Sequence, residues 1–167
     1  MKIGSLEIYS NGNLACKFYS DSGIIDLPKQ SSCGVYLSSS QSIPASTWTK
    51  IQYDTEDYDV QNEFDNQTNY RFTVTKSGKY LITGSCQLTG FSDGKVFQLS
   101  IYKNGTEYKR GLKLHSGVAY GVGASFSAVI KCDSGDYIEI FVYHTDTVSR
   151  SLSSGRTLCN LSIIKLG

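Results

Sequence analysis

The stretch Phe97-Gln98-Leu99-Ser100-Ile101-Tyr102-Lys103-Asn104-Gly105-Thr106 decides the fold. Phe97, Leu99 and Ile101 alternate with Gln98 and Ser100, the period-2 pattern of a strand with one buried face. Asn104-Gly105 follows directly. Both residues tolerate positive φ, so the pair predicts a tight hairpin turn. The chain then returns through Tyr108 to Leu114.

The same grammar recurs on either side. Upstream, Cys33-Gly34-Val35-Tyr36-Leu37, Thr49-Lys50-Ile51-Gln52-Tyr53 and Tyr70-Arg71-Phe72-Thr73-Val74 read as strands. Next, Tyr80, Ile82, Gly84, Cys86 and Leu88 form one face of a strand, and Leu81, Thr83, Ser85 and Gln87 form the other. Downstream, Ala124, Phe126, Ala128 and Ile130 define an inward face, Asp133-Ser134-Gly135-Asp136 turns the chain, and Ile138, Ile140 and Val142 alternate again. The last strand spans Leu158 to Leu166. The polar stretch from Asp54 to Asn69 reads as a long loop anchored by Tyr58 and Phe64. Many short strands with turn residues between them, and no amphipathic helix, predict an all-β antiparallel sandwich.

Composition agrees. The 167 residues suit one domain, and Gly, Tyr and Phe far outnumber Met and Pro. A formal charge of +1 provides no electrostatic footprint for nucleic acid or an anionic membrane. No apolar run approaches the roughly 20 residues of a membrane helix. Residues 1–32 stand apart: Ser5-Leu6-Glu7-Ile8-Tyr9, a turn at Asn11-Gly12-Asn13, then Leu14-Ala15-Cys16-Lys17-Phe18-Tyr19. They predict a β-hairpin appendage or shaft end, packed against a head formed by residues 33–167. The start fails the pattern of a secretory signal, so synthesis without one is expected, and the sequons at Asn66, Asn104 and Asn160 read as chance matches. Cys16, Cys33, Cys86, Cys132 and Cys159 are odd in number and widely spaced, which predicts free thiols rather than a disulfide framework.

Two strands are apolar on both faces. Tyr137 to His144 carries Ile138, Ile140 and Val142 on one side and Tyr137, Phe141 and Tyr143 on the other. The last strand has Leu161 and Ile163 against Ile164 and Leu166. Monomers rarely leave such rows in water, so either sister copies, or loops or the N-terminal hairpin of the same chain, must cover them.

Gly78-Lys79-Tyr80-Leu81-Ile82, Phe97 to Gly105, Gly135-Asp136-Tyr137-Ile138-Glu139-Ile140 and Leu161-Ser162-Ile163-Ile164 occur in an order that resembles the jelly roll of the complement-q globular head and the tumour necrosis factor superfamily. Ser42-Ile43-Pro44, Trp48-Thr49-Lys50-Ile51 and Phe64-Asp65 resemble its microbial and bacteriophage branch. The resemblance covers residues 33–167. It implies a two-sheet jelly roll assembled as a homotrimer, with the inner sheet's outward face at the three-fold axis. Carried over by motif, the interface would comprise Leu81, Thr83, Ser85, Tyr137, Glu139, Phe141, Tyr143, Asn160, Ser162, Ile164 and Leu166. Glu139 departs from an apolar pattern, because three like charges near an axis repel unless paired, hydrated or metal-bound.

Signs of chemistry are weak. Gly90-Phe91-Ser92-Asp93-Gly94 matches a nucleophile motif but falls between strands instead of opening a helix. His115 and His144 lack ligand-spaced partners. Asp54, Glu56, Asp57, Asp59, Glu63 and Asp65 could bind calcium, but their order lacks the EF-hand positions and a solvated loop is the favoured reading. Otherwise no cofactor is expected. The expected function is therefore a trimeric fibre tip, on a virion or cell surface, recognising a surface glycan or protein. Trp48, Tyr58 and Tyr120 are the candidate ligand-stacking aromatics. A structural virion or trimerisation domain is the alternative, and a hydrolase using Ser92 ranks last.

Overall fold

The structure is a computed structural model describing residues 4–117 and 121–166. Among these residues there are strands and no helices. In chain order the strands are β1 (Ser5–Ser10), β2 (Asn13–Tyr19), β3 (Ile25–Asp26), β4 (Ser32–Tyr36), β5 (Gln41–Ile43), β6 (Thr49–Lys50), β7 (Thr55–Asp59) and β8 (Phe64–Asp65). They continue as β9 (Arg71–Thr73), β10 (Gly78–Thr89), β11 (Val96–Lys103), β12 (Thr106–His115), β13 (Val122–Cys132), β14 (Tyr137–His144), β15 (Arg150–Leu152) and β16 (Asn160–Lys165).

Two antiparallel sheets face each other in a jelly-roll sandwich. A seven-stranded sheet runs β5-β15-β10-β16-β4-β7, with β13 on the other edge of β10. A six-stranded sheet runs β12-β11-β14-β9-β8, with β6 also paired to β14. The alternation sets the core: Tyr80, Ile82, Cys86 and Leu88 from β10 and Leu161 and Ile163 from β16 meet Phe97, Leu99 and Ile101 from β11 and Ile138, Ile140 and Val142 from β14. All of these side chains are at most 2% exposed. At roughly 1.5–3 kcal/mol for each fully buried large side chain, this facing is the dominant favourable contribution to the fold.

The turns follow their sequence signals. Asn104 and Gly105 have φ of 53° and 76°, the left-handed pair that a type I′ hairpin requires. Asn104 also ties this turn to the one before β14, because its Oδ1 accepts from the Tyr137 amide at 2.9 Å and its Nδ2 donates to Asp136 at 2.7 Å. Lys103 completes the junction with an ion pair to Asp136 at 2.7 Å.

The stretch from Asp54 to Asn69 departs from the expected loop, since it contains β7 and β8. Strand β7 is almost all polar, and only its backbone pairing to the edge of β4 makes it a strand (Tyr36 opposite Thr55, Gly34 opposite Tyr58). Side-chain periodicity carries no trace of such an edge strand. The leading segment forms a separate sheet, β1-β2-β3. Its register places Leu6 beside Phe18, Phe18 beside Ile25, and Ile8 beside Cys16. Leu6, Ile8, Phe18 and Ile25 on that face remain exposed, while Glu7 and Lys17 pair on the reverse side.

Two turn carboxylates give the fold an acid limit. The Lys103 and Asn104 side chains hold Asp136 down to about 2. The backbone amides of Thr68 and Gln67, with the Asn69 side chain, lower Asp65 to about 2. An unfolded Asp titrates near ~3.9. The depressed folded values therefore add stability above that pH, and the stability disappears as pH falls through about 2. The thermal midpoint is expected to drop between pH 4 and 2 (roughly the window set by those values), and more shallowly in Asp136→Asn. Scanning calorimetry across that window checks it.

Candidate functional site

The two strands with apolar second faces belong to different sheets. Strand β14 lies in the six-stranded sheet, and β10 and β16 in the seven-stranded one. Tyr137, Glu139, Phe141 and Tyr143 therefore point off one side of the sandwich, and Leu81, Thr83, Ser85, Asn160, Ser162, Ile164 and Leu166 off the other. The two sets therefore lie on opposite outer faces, which corrects the expectation of a single shared surface; the chain changes sheets between β13 and β14.

On its outward face the six-stranded sheet carries a layer of side chains packed on one another, a partial roof in which Trp48, Tyr102, Phe141 and Tyr143 stay half-buried. The Phe141 and Tyr102 rings stack with centroids 4.0 Å apart, and Trp48 lies 5.2 Å from Tyr143 and 6.4 Å from Tyr102. The Arg110 guanidinium covers Trp48 at 5.7 Å, and that of Arg71 covers Tyr137 at 4.2 Å. Beneath this roof Ser100 is only 1% exposed although it points away from the core; its hydroxyl donates to Glu107 at 2.8 Å. Glu139 is also buried, and Lys50 neutralises it at 2.9 Å. Lys50 is held in turn by the Asn69 carbonyl at 2.7 Å. Strand β6 is a neighbour of β14 within this sheet, Lys50 opposite Phe141, so Trp48 and Lys50 stand beside the β14 side chains on the same face.

The seven-stranded sheet has no such roof. Its register aligns Val129, Leu81, Ile164 and Ser32 in one row across four strands. The next row is Ser127, Thr83, Ser162 and Gly34, and a third contains Ser125, Ser85, Asn160 and Tyr36. Val129 is 46% exposed, Ile164 39% and Leu166 52%. The three rows carry no charge; Thr83 donates to the Phe126 carbonyl and Asn160 to Ser85. An apolar row beside small hydroxyls makes a flat surface that another protein surface can approach closely.

The candidate ligand-stacking aromatics separate in the same way. Trp48 is part of the roof. Tyr58, half exposed, lays its ring over Gly34, where a Cβ would stand 2.6 Å from the ring. Tyr120 lies outside the described residues. Sequence reasoning missed Tyr70. It adopts a φ of 48°, unusual for an aromatic residue, and borders a groove of about 550 Å³ of mixed lining, with Leu37, Pro44, Ser39, Ser42, Gln52 and Asp54. Only that backbone conformation marks it, and the sequence carries no signal for it.

Ser92 is a structural residue. Its hydroxyl donates to Asp146 at 3.1 Å and accepts from Arg150 at 2.8 Å, while Arg150 pairs with Asp146 at 2.6 Å. Arg150, with the Ser92 and Thr147 amides, holds the Asp146 carboxyl well below its ordinary range. Both ring nitrogens of buried His144 are engaged, Nδ1 accepting from the Asp146 amide and Nε2 facing the Ile43 carbonyl. His115 is exposed at the end of β12. The acidic residues turn to separate local donors: Asp54 to Ser38, Asp57 to Arg156, Asp59 to the Phe64 amide and Glu63 to Ser31 and Thr75. Among the described residues no three His, Cys, Asp or Glu side chains are grouped to hold a metal ion.

The fold has solved counterparts. The chain superposes on murine APRIL with a TM-score of 0.62 and 15% identity, covering 83% of this chain and 100% of that one. For Eiger TNF from S. frugiperda the TM-score is 0.61 at 12% identity, over 83% and 94% of the two chains. For the globular domain of zebrafish complement 1qA it is 0.60 at 13%, over 83% and 98%. This is the jelly roll of tumour necrosis factor and complement-q heads.

In sequence, the chain is 27% identical over 128 residues to the phage-like element PBSX protein XkdV of Bacillus subtilis, spanning 71% of this chain and 18% of that protein. It is 32% identical over 100 residues to the protein YqcC of the same organism, spanning 57% and 27%. The chain thus spans less than a third of either relative. No protein-family model matches it.

The roof makes a direct prediction. Trp48→Ala should destabilise the subunit by roughly 2 kcal/mol, because an aromatic packed on two others is lost. Urea unfolding followed by far-ultraviolet circular dichroism measures it, and the oligomeric mass should not change.

Proposed function

We propose that the chain forms a homotrimeric, non-enzymatic head at the tip of a fibre on a phage-derived particle, where it attaches to a saccharide or protein of a cell surface. The single observation that carries this reading is the aliphatic row Val129, Leu81 and Ile164 on the seven-stranded sheet, with Val129, Ile164 and, beyond it, Leu166 exposed and Leu81 half-buried. In this reading residues 33–167 are the head and residues 1–32 the end of the shaft. Sister copies cover the row. Each large aliphatic buried contributes roughly 1.5–3 kcal/mol, repeated at three equivalent interfaces. The jelly-roll counterparts and the similarity to a phage-element protein support it. The groove beside Tyr70 suits a saccharide, having the Ser39 and Ser42 hydroxyls and the Gln52 amide next to one aromatic ring. Three such grooves on a rigid head would gain avidity through effective concentration.

Light scattering at micromolar concentration should give three times the chain mass of 18.4 kDa. Ile164→Glu should give the single-chain mass with its β-sheet dichroism retained. A wild-type mass of one chain would overturn the assembly. On a glycan array the trimer should bind, and Tyr70→Ala should lose binding while keeping its mass. A trimer that binds neither glycans nor intact cells would leave a purely structural head.

A further inference from the structure

We infer that Cys86 and Cys159 are the site of an intrasubunit disulfide that forms when the chain folds under oxidising conditions. Their Sγ atoms lie 3.1 Å apart. Ser85 on β10 pairs with Asn160, the first residue of β16, so Cys86 and Cys159 flank the end of this pairing, with Cys159 in the bend that leads into β16. Both side chains point into the core and are at most 1% exposed. The Tyr53 hydroxyl, 3.5 Å from the Cys86 sulfur, closes the pocket over them. Cys33 and Cys132 sit on β4 and β13, and Cys16 on the leading sheet.

Burial explains when the bond forms. In the closed core the Cys86 thiol and the lack of water keep the Cys159 proton in place, and a thiol that retains its proton is a poor nucleophile. Oxidation therefore belongs to the period before β16 docks beside β10. One cysteine thiolate attacks a small-molecule disulfide, giving a mixed disulfide and releasing one small thiol. The second cysteine thiolate attacks the protein sulfur of that mixed disulfide and releases the other small thiol. Two protein thiols are oxidised and one small disulfide is reduced, and the two protons end on the two small thiols. The product links neighbouring strands of the sheet and closes the long chain segment between residues 86 and 159, where a cross-link constrains the unfolded chain strongly.

The test is refolding in a mixture of oxidised and reduced glutathione, then alkylation in denaturant and peptide mapping by mass spectrometry. The expected product is lighter by two hydrogens, has two fewer alkylatable thiols, and yields a peptide joining Cys86 to Cys159. Its thermal midpoint should exceed that of protein kept in reductant by about 5 °C or more, and reductant should make no difference in Cys86→Ala. Full alkylation of all cysteines after oxidative refolding, or a bond involving Cys16, Cys33 or Cys132, overturns the inference. Mapping of the wild-type protein decides the matter even if the variant does not fold.

Discussion

A two-sheet sandwich gives every strand two faces and only one core, so each outward face must be polar or be covered. The rest of this structure follows from how the two sheets meet that constraint. Their inner faces interlock through Tyr80, Ile82, Leu88 and Ile163 on one side and Leu99, Ile101, Ile140 and Val142 on the other. Beside β14, the segment carrying Trp48 and Lys50 joins the sheet and half-covers its outward face with stacked rings and a paired carboxylate. Behind β10 and β16 nothing in the described residues does the same, and the aliphatic row stays open.

This asymmetry changes how aromatic-rich strands should be read. Phe141 and Tyr143 looked like contacts for sister copies because they are apolar and point away from the core. In the structure their partners are Tyr102 and Trp48 of the same chain. The less conspicuous Ile164 and Val129, flanked by serines and threonines, form the face that remains in water.

The strands and their inward residues were legible in the sequence wherever side chains alternate, as at Phe97 to Ile101, Tyr80 to Leu88 and Ile138 to Val142. Both Asn-Gly turns were legible because left-handed backbone has few residue choices. Strand β7 was not, since its pairing uses backbone atoms at a sheet edge, and polar residues suit an edge as well as a loop. The sheet to which β14 belongs was not legible either, because alternation reports the two faces of a strand and says nothing about which neighbours it joins. Ser92 shows the converse case: a motif match whose hydroxyl is engaged by Asp146 and Arg150 once the chain is folded. The groove beside Tyr70 depends on loops meeting at one end of the fold, which no local pattern encodes.

The central claim is that one outward face is covered from within the subunit and the other by copies of the chain. Hydroxyl-radical footprinting across a dilution series tests it most directly. Modification of Leu81, Val129 and Ile164 should rise as the protein is diluted through its dissociation range, while Trp48, Phe141 and Tyr143 stay equally protected throughout. Aliphatic residues that are modified to the same extent at every concentration, or a Trp48 cluster that opens on dilution, would contradict the account.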